Sequence, residues 1–344
     1  TAVGSNALGA NITGFNSTAV GNGAGASITT GYHNNLFGYG AGTAITTGNY
    51  NSAFGTSTLD ANTTASYNTG IGRSALGATT TGAENTGVGG YALLNNTTGE
   101  QNVAIGYEAL NDNTTGADNV AIGYRALDLN TTAAGGVAIG RDALGANTTG
   151  SQNTALGRSA LEANTTGSYN AAVGFESLKA NTTANDNVAI GYHALLVNTT
   201  GADNTAVGYT TLDANTTGAS NVAVGLNALY ANTTATGNTA VGLDALKLNT
   251  TGASNTAVGY QSLDASTTGS NNVAIGTSTL TANTTGAGNV AIGKDSLATN
   301  YNPFASVDDG SCVFPNIYGC TDSLAYNYNP IANVDDGSWI IIIS

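Results

Sequence analysis

A glycine recurs every seventeen residues, at Gly4, Gly21, Gly38, Gly55, Gly72 and onward to Gly293, eighteen times without an insertion or deletion. No other feature narrows the fold as far. A constant short period is the mark of a solenoid, in which each repeat is one coil resting on the last. Bundles and propellers tolerate loops of uneven length. A stack of coils accepts an insertion only where the extra residues leave the coil.

The columns of the repeat say what kind of coil it is. The residue before the glycine is always apolar, as in Val207, Val224, Val241, Val258, Ile275 and Ile292. The one before that is Ala, except at Leu36, Gly70 and Gly87. A small residue stands three after the glycine and Leu four after it; then comes Asn-Thr-Thr, often with Gly, and an Asn opens the next copy. Stretches of five or so Val, Ile and Thr residues between Gly and Asn read as short strands joined by tight turns. Helix is a poor fit, because the apolar positions do not recur at 3.6 spacing and β-branched residues, Gly and Asn are weak helix formers. The expected fold is all-β: a parallel β-solenoid of eighteen coils over residues 1–299, with a small acidic, Cys-containing module at 300–344. Stacking at ~4.8 Å per coil makes a rod about 85 Å long.

In-register stacking places like on like. Asn suits such a column because amides can hydrogen-bond along the axis, whereas like charges repel. The fixed glycine implies a positive φ or a close backbone approach. Neighbouring strand residues face opposite sides, yet both Ala206 and Val207 belong to constant columns. Either both sides are packed, the Ala side against another copy of the chain, or a turn points both side chains into one thin core.

Charge limits the partners. Lys and Arg total 7 against 21 Asp and Glu, a net charge of −14, and only 8% of residues are charged. That disfavours nucleic acid and anionic membranes as partners. No apolar run approaches the ~20 residues of a membrane span. Thr1 enters in mid-repeat, as expected of a processed product or a piece of a longer chain.

No constellation points to catalysis. His33 and His193 fall in variable columns, and "GNGAG" at 21–25 is a repeat corner rather than a phosphate loop. The chain is expected not to be an enzyme. Asp308, Asp309, Asp335 and Asp336, each pair followed by Gly-Ser, are candidate calcium ligands, since hard cations want clustered oxygens; a plain acidic turn is the other reading. Thirteen repeats carry Asn-x-Thr, from Asn11 to Asn283. Asn215, Thr217, Asn232 and Thr234 exemplify candidate glycosylation positions, against turn chemistry and stacked ladders as the plainer account. Cys312 and Cys320 are a close pair, either an extracellular disulfide or free thiols.

The motifs "NTAVGYTTL" (204–212) and "NVAIGYHAL" (187–195) resemble the head repeats of trimeric autotransporter adhesins, and similar repeats occur in phage tail fibres. The resemblance covers residues 1–300. It implies left-handed parallel β-rolls, three chains around an axis, although those repeats are shorter and lack the Asn-Thr-Thr block. The C-terminal "NYNPFASVDDGSC" (300–312), repeated as "NYNPIANVDDGSW" (327–339), resembles a Cys-bearing motif of secreted Bacteroidetes surface proteins; Trp339 stands where that motif has Cys.

These readings converge on a structural subunit of an extracellular bacterial fibre or adhesin that assembles head-to-tail with itself, through stacked β-coils and the C-terminal module, with a surface or carbohydrate receptor as a further partner. A phage-fibre shaft or an ice-binding rod is the alternative. For assembly, Thr1, Ala2 and Val3 are expected to form an open strand edge. The apolar strand Ile340, Ile341, Ile342 and Ile343 is expected either to add to such an edge of the next subunit or to fold back on its own module.

Overall fold

The computed structural model describes residues 1–296 and, beyond them, the backbone of two short strands, Tyr318–Gly319 and Val334–Asp335. The first part is a β-solenoid. Its eighteen strands run from β1 (Ala2–Val3) and β2 (Thr18–Val20), through β13 (Thr205–Val207) and β14 (Val222–Val224), to β18 (Val290–Ile292). Each is parallel to its neighbours and in register with them: Thr205 faces Val222, Ala206 faces Ala223, and Val207 faces Val224. The last two strands, β19 (Tyr318–Gly319) and β20 (Val334–Asp335), also pair in parallel. There is no helix among the described residues.

The strands are shorter than the columns suggest. Each full strand spans three residues, not five or so, and the rest of the coil is turns. The physical reason is the backbone. Four positions per coil have positive φ: in the coil of Gly208 these are Gly208 (φ 143), Thr210 (φ 50), Leu212 (φ 52) and Ser220 (φ 57). A strand cannot continue through such positions. The glycine is irreplaceable on two counts. Its φ lies where L-residues rarely go, and a Cβ on Gly208 would sit 2.6 Å from the carbonyl oxygen of Gly225 in the next coil. Leu212 has a side chain and still adopts the left-handed conformation, which costs about 1–2 kcal/mol. It is fully buried, which contributes about 1.5–3 kcal/mol. Burial therefore offsets the strain.

The core is one thin layer inside each coil. Ala206, Thr211 and Leu212 are all 0% exposed in the single chain, while Val207 is half-buried. This corrects the idea that the Ala column meets another copy: Ala points inward, where the opposite wall of the same coil leaves room for one methyl, and the Val/Ile column points out.

Where the repeat deviates, volume is conserved. The Leu column holds Gly25 and Gly42 in two coils. There Ile28 and Ile45 replace the usual Asn, and Leu36 replaces the usual Ala, all three fully buried. A Cβ on Gly42 would lie 2.7 Å from Ile45 Cδ1 and 2.9 Å from Leu36 Cδ2. The leucine volume has moved across the core. Similarly, Gly70 replaces Ala where Thr58 supplies a Cγ2 methyl, 2.5 Å from any added Cβ.

Candidate functional site

Two buried columns of asparagine run along the rod. In the first, which opens each copy, Asn204 Nδ2 donates to Asn187 Oδ1 at 3.2 Å and to Gly218 O at 2.9 Å. Its own Oδ1 accepts from the backbone N and Nδ2 of Asn221, at 3.0 and 3.1 Å. In the second, which opens the Asn-Thr-Thr block, Asn215 Nδ2 donates to Asn198 Oδ1 at 2.8 Å and to Gly218 O at 2.9 Å. Gly218 O thus takes one proton from each ladder, filling both lone pairs. Beside it, the N and Oγ1 of Thr216 both donate to Thr233 O, at 2.9 and 3.0 Å. Buried amides such as these are tolerated because their donors and acceptors are paired.

These bonds bear directly on glycosylation at Asn215 and Asn232. Asn215 and Asn232 are 0% exposed. Both Nδ2 protons of Asn215 are in use, and Asn232 Nδ2 likewise donates to Asn215 Oδ1 and Ala235 O. A glycan on either nitrogen is incompatible with the folded ladder. Thr217 and Thr234, by contrast, lie in an exposed column.

The ladder has a gap that can be repaired. Ser266 replaces Asn in the second column, too short to reach its neighbour, and both Ser266 Oγ and Asn249 Oδ1 are buried without a partner. Ser266→Asn is expected to satisfy Asn249 Oδ1 and to raise stability by about 1–2 kcal/mol, a net hydrogen bond plus relief of an orphaned acceptor. Thermal denaturation of the two chains side by side checks it; an unchanged or lower midpoint refutes it.

Outside, the columns form distinct surfaces. On the strand face, the residues one and three before the glycine point outward. The first is Val, Ile, Leu or Phe in every described copy, half-buried or exposed, and neither column contains a charge. The residue after the glycine borders this strip and bears Arg73, Arg141, Arg158 and Lys294. The other border, five before the glycine, bears Glu84, Asp118, Asp186 and Asp203. On another side of the coil, the second Thr of Asn-Thr-Thr is exposed in every copy from Thr13 to Thr285.

Aromatic side chains stack on each other in two columns, five before the glycine (Tyr50, Tyr67) and one after it (Tyr107, Tyr124, Tyr192, Tyr209). Ring centroids lie 5.0 Å apart for Tyr50–Tyr67, 5.9 Å for Tyr107–Tyr124 and 4.9 Å for Tyr192–Tyr209, with interplanar angles of 6°, 9° and 10°. Phe175 continues the last stack, and Arg158 lies over its ring.

Charges gather at the corner two and five residues after the glycine, where opposite signs alternate between coils. Arg125 Nη2 is 2.6 Å from Asp128 Oδ2, and Lys179 Nζ is 2.8 Å from Glu176 Oε1. Lys179 holds the Glu176 carboxyl below its usual range. His193 lies between Glu176 Oε2 at 3.3 Å and Asp213 Oδ1 at 4.0 Å. Reading the sequence column by column missed this neighbourhood, since the two carboxylates come from different columns and different coils; only a diagonal reading at spacings of 17 and 20 finds it. Among the described residues no cluster of three His, Cys, Asp or Glu is placed to hold a metal.

Burial raises the carboxyls of Asp213 and Asp264 above the ordinary value, and Oδ1 of each is buried without a partner. A carboxyl with a raised folded pKa adds stability below its unfolded pKa and loses it as pH rises through the folded value. Asp264→Asn is therefore expected to raise the melting temperature at pH 7, with the gain vanishing below pH ~4, where the native carboxyl is protonated in both states. Melting curves across that window test the sign; an equal gain at both ends contradicts it.

The remaining expected positions fall as follows. Thr1, Ala2 and Val3 are exposed, and among the described residues Ala2–Val3 pairs only with β2. Gly21, Gly23 and Gly25 form a repeat corner with positive φ at each. Asp335 lies in the backbone of β20. Asp308, Asp309, Asp336, Cys312, Cys320 and Ile340, Ile341, Ile342 and Ile343 lie outside the described residues. Among the described residues no helix is long and apolar enough to cross a membrane. The chain matches no protein-family model and no curated protein.

Proposed function

We propose that this chain is a non-catalytic structural rod of an extracellular bacterial fibre or adhesin, and that it works as an association of parallel copies. The carrying observation is the uncharged strip on the strand face, an unbroken apolar column running beside a column of Thr, Val, Ser, Asn and Ala. It continues through all eighteen strands, each in register with the next. At strand spacings of ~4.8 Å and ~3.3 Å per residue it offers on the order of 1,000 Å², against the ~800 Å² that each partner gives to a standard interface. Its two borders carry opposite charges, so copies arranged around an axis bring the cationic border of one against the acidic border of the next. The low charge and the likeness of the repeats to adhesin heads support the extracellular setting.

The test is the native mass of the purified chain, with Ile190→Glu/Val207→Glu as the interface variant. The native chain is expected as an oligomer. The variant, whose substituted side chains already face water, is expected to keep its β-sheet circular dichroism and run as a monomer. A native chain that is monomeric at every concentration sinks the proposal.

A second reading rests on a different observation, the unbroken column of exposed Thr. Regular hydroxyl and methyl groups can order water, which makes ice binding the alternative. It requires thermal hysteresis in solutions of the folded rod; freezing without hysteresis or crystal shaping removes it.

A further inference from the structure

We propose that the stacked tyrosines are sites of oxidative coupling, each pair forming a dityrosine bridge between successive coils. The pairs are Tyr50–Tyr67, Tyr107–Tyr124 and Tyr192–Tyr209. Three observations carry this. The rings of each pair are near-parallel, with centroids 4.9–5.9 Å apart. All six rings are 40–58% exposed, so a one-electron oxidant can reach them and the rings have room to tilt together. The register of the coils holds the partners at this separation, so radical meets radical without diffusion, the advantage that proximity gives any bimolecular step.

The chemistry balances with a haem peroxidase and hydrogen peroxide as oxidant. Each phenol gives up one electron and its hydroxyl proton, leaving a neutral radical with spin density on the ring carbons ortho to oxygen. Two such radicals combine to form a Cε–Cε bond. The hydrogens on those two carbons then shift to the phenolic oxygens, restoring both rings. The pair as a whole loses two hydrogen atoms, and one peroxide takes up two electrons and two protons to become two waters. Each bridge closes a seventeen-residue loop and ties one coil to the next, so the rod resists peeling at that point. Tyr169 and Tyr260 serve as internal references: both are exposed, with no aromatic partner within stacking range among the described residues.

The experiment treats the dilute full-length chain with peroxidase and hydrogen peroxide, then denatures it and cleaves at Lys and Arg. Each stacked pair falls within one peptide: residues 1–73, 74–125 and 180–247. Tyr169 and Tyr260 are each the sole tyrosine in theirs, 159–179 and 248–294. Intrachain coupling is expected to make the three pair-containing peptides lighter by two hydrogens, with dityrosine fluorescence. Yields should exceed by roughly tenfold or more those of cross-linked 159–179 or 248–294. Tyr209→Phe is expected to abolish the loss in 180–247 and leave it in 1–73. Urea unfolding before oxidation should erase the preference. The proposal is overturned if the pair peptides keep their mass, if reference peptides couple as efficiently, if coupling joins only separate chains, or if Tyr209→Phe changes nothing.

Discussion

Gly208→Ala is expected to cut the rod into two cooperative units. At φ 143 an L-residue is strained, and its Cβ would press on the Gly225 carbonyl oxygen 2.6 Å away. That oxygen is backbone and cannot swing aside. The strain alone costs about 1–3 kcal/mol, and with the collision a destabilisation of about 3–5 kcal/mol is expected. In a solenoid each coil touches only its neighbours, so the damage stays local. The melt should split into two transitions, and limited proteolysis should yield two fragments that meet near residue 208. Gly237→Asn is the control: at φ 69 its added Cβ finds only Ser254 Oγ, at 3.7 Å, and Asn tolerates the left-handed region. A single unchanged transition for Gly208→Ala would falsify the steric account.

The second large effect is expected at Asn204. Replacing it with Asp keeps the shape but swaps a double donor for an acceptor. The new oxygen would face Gly218 O and Asn187 Oδ1, at the present Nδ2 distances of 2.9 and 3.2 Å. A buried carboxylate with no cation beside it costs about 3–5 kcal/mol. Protonation restores a donor, so the folded pKa of this carboxyl must lie above the unfolded one. The deficit is then full at neutral pH and shrinks as pH falls toward ~4. Asn204→Ala is expected to cost about 3 kcal/mol at any pH, because it orphans Gly218 O in part and the side-chain donor of Asn221. Denaturation at pH 4 and pH 7 separates the two; equal pH dependence for both variants rules out the ladder as the cause.

Much of the architecture was legible because a repeat reports its own environment. A column that stays Asn for most copies amid Thr, Ala and Gly is a column of paired amides, and Asn204 and Asn215 are that. A glycine that never becomes alanine must deny a Cβ, and Gly208 meets both a positive φ and a neighbouring carbonyl. Less was legible about which way side chains point. Ala206 and Val207 are both constant, and alternation alone does not say which is inside. The short turns at Thr210, Leu212 and Ser220 curl the chain back so tightly that only a methyl fits between the walls, which sends Ala inward and Val to the surface. Leu212 in the left-handed conformation contradicts its intrinsic preference and is explicable only by its burial.

The amino-acid sequence by itself determined the period, the in-register stacking and the requirement for Gly and Asn. Each of these follows from identical residues meeting at one coil spacing. The tertiary structure alone decided the rest: the three-residue strands, the sharing of Gly218 O between the two ladders, the closed amide of Asn215 beside the exposed Thr217, and the meeting of His193 with Glu176 and Asp213. All of these depend on how a coil folds across its own width, where contacts join different columns. A column read along the axis contains no record of them.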